Sequence, residues 1–370
     1  MGDSEFSRVV KQCAVDSGFN RVGIAAAGPH PRGDYLRAWL ADGRAGTMGY
    51  MHKHVESRID VRAWLPDATH VIVVTLNYRQ PSALGELLEK SEAPAKVTGR
   101  IAQYACGEDY HVVMRDKLEA MIATMRACID QPFLARACVD TSAITERELA
   151  AAAGIGWIGK NTLVLNEDDG SFFFLGAILT DLPLAPDPPA TDHCGTCTRC
   201  LDACPTGAFP APYEMDASRC ISYLTIEHRG DIDPALAVKM GDWLFGCDIC
   251  QDVCPFNRKA PETTEPRLRA NVHNAAADRA EDSSPRASRQ GDPALSEAAS
   301  RNQSRTVLSP VTTNGLIDPA KVAAWSDEEC RAFTRGKALR RAKPDMWRRN
   351  ARIVLENSGA ADTPSEVIEP

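Results

Sequence analysis

The chain has 370 residues, 44% of them hydrophobic and 25% charged, with a formal net charge of −8. It is long enough for two domains with their own cores. It holds no run of 18 apolar residues, which excludes a helical membrane span, and its acidic balance excludes a generally basic nucleic-acid coat.

Residues 4–18 place Phe6, Val9, Val10, Cys13 and Val15 at amphipathic spacing and predict a helix. Residues 21–25 predict a short strand, Tyr35 to Leu40 a helix, and residues 43–49 a loop. The β-branched run His70 to Asn77 predicts a buried strand, and residues 79–100, with Pro81 and Pro94, a polar connection. Leu118, Met121, Ile122, Met125, Cys128 and Ile129 recur at three and four, so Asp109 to Ile129 predicts a long helix. A strand from Ala135 to Val139, a helix from Thr145 to Ala153, and strands over 161–165 and 172–180 complete a mixed domain across residues 1–186.

Two features of that domain invite a functional reading. Gly154-x-Gly156-x-x-Gly159-Lys160 imitates a phosphate-binding loop. Such loops need a strand before and a helix after, and here the order is reversed. The glycines are read instead as letting the backbone pass close to another bulky ligand. Asp140, at a strand end, reads equally as a helix cap and as an acid placed where α/β folds carry chemistry.

The densest signal lies at residues 187–260. Cys194, Cys197, Cys200 and Cys204-Pro205 form C-x2-C-x2-C-x3-C-P, and Cys247, Cys250 and Cys254-Pro255 form C-x2-C-x3-C-P. The first is the spacing of two-cluster bacterial ferredoxins, in which three cysteines hold one iron–sulfur cube and the fourth ligates the other. Cluster one then takes Cys194, Cys197, Cys200 and Cys254. Cluster two takes Cys204, Cys220, Cys247 and Cys250. Eight thiolates for two [4Fe-4S] clusters is a closed count. A zinc site has no use for this spacing, and a disulfide framework belongs to an oxidising compartment. The chain start shows no apolar signal core and no twin arginine, so a cytoplasmic location is expected. Cys13, Cys106, Cys128, Cys138 and Cys330 are scattered and read as small buried hydrophobes, with Cys106 beside a loop where a thiol can react.

Residues 261–312 read as a disordered insertion: no aromatic residue occurs between Phe256 and Trp325, and 267–309 is rich in Ala, Ser, Arg, Asp and Asn. Residues 313–358 predict short helices over 318–325, 327–334 and 347–357, with a capping signal at Ser326 and Glu329. Residues 359–370 read as a frayed tail. Arg335, Lys337, Arg340, Arg341 and Lys343 open a basic stretch that continues to Arg352 and encloses Trp347. It reads either as a solvated helical face or as a phosphate-binding surface.

Several motifs together resemble the epoxyqueuosine reductases, iron–sulfur and cobalamin enzymes of tRNA queuosine synthesis. They are Tyr104 to His111, Val139 to Ser142, Ala153 to Thr162, Phe173 to Gly176, Cys220 to Glu227, Gly246 to Asn257 and Arg335 to Lys343, covering residues 5–260 and about 315–358. The resemblance implies an α+β fold. A nitroreductase-like cobalamin-binding domain would come first, then a ferredoxin-like two-[4Fe-4S] domain and a short helical C-terminal segment. It implies reduction of the epoxide of epoxyqueuosine in a tRNA anticodon loop, giving queuosine and water. Electrons would come from an external low-potential donor to a monomeric enzyme. Asp140 matches the proton donor; Arg58, Asp140, Asn161, Ser222, Cys247 and Asp248 match corrin contacts; and the basic stretch is favoured as the tRNA contact. Ala102 stands near where some relatives carry a cysteine facing the cobalt. Two rivals share the cluster motif: a reductive dehalogenase and a non-enzymatic electron-transfer module.

Overall fold

The computed structural model describes residues 2–80, 97–270 and 316–359. The N-terminal elements are α1 (Asp3–Asp16), β1 (Arg21–Ala26), α2 (Gly33–Ala41), α3 (Val55–Ile59), β2 (His70–Asn77), β3 (Gly99–Ile101), α4 (Tyr110–Cys128), β4 (Ala135–Cys138), α5 (Glu146–Ala152), β5 (Trp157–Ile158), β6 (Val164–Leu165) and β7 (Phe173–Thr180).

Four of the strands form one sheet in the order β1–β2–β7–β4, every pair antiparallel. Their side chains alternate between two buried layers, as the pleat requires. Ile24, Ile72, Val74, Leu76 and Ile178 meet α1 and α4 through Phe6, Val10, Met114, Leu118 and Met121. Ala25, Val71, Val73, Ala177 and Leu179 face the other way, toward Leu149 and Ala150 of α5. The helices approach closely because two strand positions lack side chains. A Cβ on Gly23 would stand 2.1 Å from the carbonyl oxygen of Ala153, and one on Gly176 would stand 2.7 Å from the Met114 Cε. The sheet is thus covered on both faces, and its strand ends lie against the cluster region.

The cysteine runs lie among short pieces: α6 (Arg199–Asp202), α7 (Ile221–Ile226), α8 (Pro234–Ala237), β8 (Trp243–Phe245) and α9 (Ile249–Asp252). The C-terminal elements are β9 (Leu316–Ile317), α10 (Pro319–Ala323), α11 (Asp327–Phe333) and α12 (Pro344–Asn357). These two parts and the N-terminal domain interlock. β3 pairs in parallel with β8 and antiparallel with β9. One core joins Ile101 and Ala105 to Leu244 and Phe245, and to Val322, Leu339 and Trp347. Phe245 stacks on Trp347 with centroids 5.5 Å apart. Asn350, fully buried, donates to the carbonyls of Thr225 (3.0 Å) and Leu244 (2.8 Å), and Arg349 donates to Leu224 O (2.8 Å). The bonds to Leu224 and Thr225 satisfy carbonyls at the end of α7 that the short helix leaves unpaired, and the bond to Leu244 ties α12 to β8.

Several expectations shift. The strand placed at 161–165 reduces to β6, because Thr162 has a φ of +63° and turns the chain into a hairpin with β5. The C-terminal helix starts at Pro344 rather than Trp347. The last two residues of the polar connection, Gly99 and Arg100, open β3. Residues 261–270 were read as the start of the insertion, yet they pack on the N-terminal domain. Leu268 is buried, and Arg267 pairs with Glu108 (2.6 Å) and Asp116 (2.9 Å). Charge pairing there orders a segment whose composition alone argued against order. The expected disorder over 271–312, the return of order by Gly315 and the frayed tail from 360 lie outside the described residues. The capping box at Ser326 and Glu329 forms.

Candidate active site and cluster ligands

The chain brings the eight cysteines together in two groups. Burial and the neighbouring Cys254, Cys194 and Cys197 push the Cys200 thiol up to about 11. Burial, Cys220 and Cys247 push Cys250 up further, and Cys220 and Cys204 act on Cys247. Thiols massed this way resist becoming thiolates alone, and binding iron relieves that cost. Amide and indole N–H groups already point at the sulfurs. Trp157 Nε1 donates to Cys194 Sγ at 3.4 Å, and Ala208 N donates to Cys204 Sγ at 3.4 Å. The backbone amides of Ser222 and Tyr223, at the start of α7, act on Cys220. Such bonds favour the charged sulfur of an iron–sulfur site. The donor set therefore fits two cubes.

The second run is fastened to the sheet. Gln251 Nε2 donates to Ser171 O (3.0 Å) and Tyr78 Oη (3.1 Å), and Ser171 N donates to Asn257 Oδ1 (2.6 Å). Asp248, 3% exposed, accepts from the Gln103 amide at 2.8 Å, and burial pushes its carboxyl up to about 7. Asn161 donates to Cys250 O at 3.4 Å. Ser222 sits in the first turn of α7, beside Cys220.

Asp140 follows β4, at a φ of +44°, a conformation that costs a non-glycine residue about 1–3 kcal/mol. Its backbone N–H donates to Glu146 Oε1 at 2.5 Å, and its carboxylate Oδ2 accepts from His111 Nε2 at 3.0 Å. His111 Nδ1 donates to Asp109 Oδ1 at 2.7 Å, and Asp109 caps the start of α4. Both ring nitrogens face carboxylates, which calls for the doubly protonated imidazolium. Burial would lower the His111 pKa, but its bonds to Asp109 and Asp140 raise it to about 9. For Asp140, whose side chain is 57% exposed, partial desolvation would raise the pKa. The hydrogen bond and charge of His111, with Tyr110 and Arg341, hold it below the usual range. Burial and the nearby Asp140 charge push Glu146 up to about 8. Tyr110 is stacked between His111 (4.0 Å) and Phe174 (4.3 Å), which fixes the imidazole against the sheet. The helix-cap reading of Asp140 fails: α5 starts after Thr145, and Asp140 gives it no capping bond.

Two family models match. One is the 4Fe-4S double cluster binding domain, over residues 193–257, and the other is Epoxyqueuosine reductase QueG, DUF1730, over residues 58–141. An epoxyqueuosine reductase of Xanthomonas campestris pv. campestris is 36% identical over 95% of this chain and 87% of its own length. The Escherichia coli K12 epoxyqueuosine reductase is 36% identical over 96% of this chain and 82% of its own.

The chain belongs to the epoxyqueuosine reductase family.

A crystal structure of a family member with an epoxyqueuosine-modified tRNA-Tyr stem loop superposes with a TM-score of 0.76 at 25% identity, covering 96% of this chain and 82% of that one. Family members are oxidoreductases, and this chain carries their double cluster domain.

Within this family frame, the other predicted residues divide. Arg58 on α3 lies close enough to Asp140 and Glu146 for their charges to act on it, and burial lowers its pKa. Its Nε is buried without a protein partner. Ala102 is fully buried against Gly246, where a Cβ would stand 2.5 Å from the Ala102 Cβ, so no thiol is presented there. Burial pushes the Cys106 thiol up to about 12, away from the thiolate form that reacts. Cys128, read as buried, is exposed.

The basic stretch does not act as one surface. Lys337 is 8% exposed, its Nζ 5.2 Å from the centre of the Phe333 ring. Trp347 is buried and cannot stack on a base. Arg341 is gripped by Glu227 (2.7 and 2.9 Å), beside Tyr50, and its charge reaches Asp140. Arg335, Arg340 and Lys343 remain exposed. His111, Tyr110 and Glu146 were not singled out as site residues. The only signal for them was proximity to the Tyr104 to His111 motif and to Asp140.

Among the described residues, no helix is long and apolar enough to cross a membrane.

Proposed function

We propose that this chain reduces epoxyqueuosine to queuosine in the tRNA anticodon loop, in the cytoplasm, with electrons from an external low-potential donor. The overall change consumes two electrons and two protons and releases water. Cys194, Cys197, Cys200 and Cys254 would hold the entry cluster, and Cys204, Cys220, Cys247 and Cys250 the inner one.

Cobalamin, held in a nitroreductase-like cradle, would supply the low-potential centre that attacks or reduces the epoxide carbon. Arg58, Asn161, Ser222, Cys247 and Asp248 would line it. The fit is supported by chemistry: the unpaired buried Arg58 Nε and the buried Asn161 and Asp248 are polar groups of the kind that engage a corrin's amide rim. The protein's own share is proton handling. An epoxide oxygen leaves poorly as an alkoxide, so an adjacent acid lowers the barrier. His111, charged at neutral pH, passes its Nε2 proton to Asp140 Oδ2, and Asp140 delivers it to the departing oxygen. Asp109 keeps the imidazole oriented, and Glu146 holds the strained Asp140 loop in place. Arg335, Arg340 and Lys343 would meet phosphates, with the modified nucleotide splayed out of its loop.

The observation that carries this reading is Asp140, placed by a strained turn against a charged imidazole within a member of this family. The test is reconstitution with iron, sulfide and cobalamin, then nucleoside mass spectrometry on tRNA from cells lacking the activity. Wild type converts epoxyqueuosine; Asp140→Asn takes up cobalamin but turns over about 10²–10⁴-fold more slowly. Normal turnover by Asp140→Asn would remove the proton-donor role.

A further inference from the structure

The segment Gly154–Asn161, whose glycines and lysine imitate a phosphate loop, has little part in the chemistry above. In the fold it is the β5–β6 hairpin, and it leans on both cysteine runs. Trp157 Nε1 donates to Cys194 Sγ at 3.4 Å. Lys160, only 9% exposed, donates from Nζ to the carbonyls of Gly195 (2.7 Å) and Cys197 (3.0 Å). The next residue, Asn161, donates to Cys250 O at 3.4 Å. The neighbouring carboxylate, Asp192, is already engaged by the Cys194 amide at 2.7 Å and by the Tyr213 hydroxyl. The lysine is therefore a cation inserted between the catalytic domain and the loop that wraps cluster one.

We infer that Trp157 and Lys160 are positioning residues that raise the reduction potential of cluster one. This rests on the ligand allocation proposed above. Reduction adds a negative charge to a cube that four thiolates already make anionic. A nearby ammonium and an N–H···S bond stabilise the reduced form, and they count for more where water is excluded. Both clusters have mixed surroundings: the Asp192 carboxylate acts on Cys194 of cluster one, while at cluster two the Asp248 carboxyl acts on Cys247 and Arg219 donates to Thr206 O at 3.0 Å. At cluster one the indole and the ammonium offset Asp192 and make reduction easier than it would be without them, as suits the site that meets the donor. The residues flanking its ligands, Gly195, Thr196, Thr198 and Arg199, are exposed.

The test is a potentiometric titration followed by electron paramagnetic resonance on cobalamin-free, cluster-reconstituted full-length protein. The cluster-one signal is assigned by its loss in Cys197→Ala. Lys160→Gln and Trp157→Phe should each move the cluster-one midpoint to more negative potential, leave cluster two in place and keep about eight irons per chain. Lys160→Arg should restore the wild-type midpoint. An unchanged midpoint in both variants, or an equal shift of both clusters, overturns the proposal. If Lys160→Gln loses iron, Trp157→Phe decides, since it keeps the ring and removes only the donor. Fewer than about eight irons in the wild type would instead sink the two-cluster reading on which the inference stands.

Discussion

The sheet domain buries two continuous apolar layers on either side of four paired strands. Residues 187–260 contain helices of four to six residues and one strand of three. Helices that short do not sustain themselves. Their order comes from elsewhere: from β3, which pairs with β8 on one side and β9 on the other, from α12 closing the end of α7, and from bonds to iron. The two regions place the reaction's demands accordingly. The proposed proton handling, which needs fixed distances, would sit on the sheet domain. Electron handling sits where metal bonds do the organising.

Breaking the comparison most severely means removing the metal. Chelation under reducing conditions should loosen 187–260 while the sheet domain keeps its protection, seen as a sharp rise in amide exchange over Cys194–Cys254 but not over β2 and β7. Equal exchange in both regions would refute the division. Trp347→Ala comes next: it removes a fully buried indole and should cost about 3–5 kcal/mol in denaturant unfolding. Iron retention should fall with it, because α12 supports the helix that carries Ser222.

On the sheet side, His111→Gln should slow turnover and change its pH profile. The folded pKa of His111, about 9, lies above its ordinary value of 6.5. The contribution of the charged imidazole to stability is therefore complete below about 6.5 and is lost as pH rises through 9. Wild-type activity should fall over that same rise, and the variant should lack that limb. Retention of the alkaline limb would assign it to another group. Arg340→Ala and Lys343→Ala should each reduce the salt slope of tRNA stem-loop binding by about 1, with kcat unchanged. Lys337→Ala should leave that slope alone, since its ammonium is buried. The smallest effect should be Ser326→Ala, which removes one half of a capping box on exposed α11 and costs about 1 kcal/mol in thermal unfolding.

The strands at 70–77 and 172–180 and the long helix before Ile129 were legible because each is a local pattern: an unbroken β-branched or apolar run, or a repeat at three and four. The double cluster domain was legible because a cube imposes its own spacing on the chain. The insertion was misjudged at its first residues because Arg267 finds Glu108 and Asp116 across the fold, and no local composition reports that.

By itself, then, the sequence determined the two cluster-binding runs, the main sheet strands and the family, since spacing and hydrophobic period are properties of neighbouring residues. Tertiary structure alone decided that Asp140 would face an imidazolium held by Asp109 and that Lys160 would donate to the carbonyls of Gly195 and Cys197. It also split the basic stretch into buried, paired and exposed cations. Each of these depends on which charge meets which partner across many tens of residues, and that is set by how the sheet, the hairpin and α12 pack together.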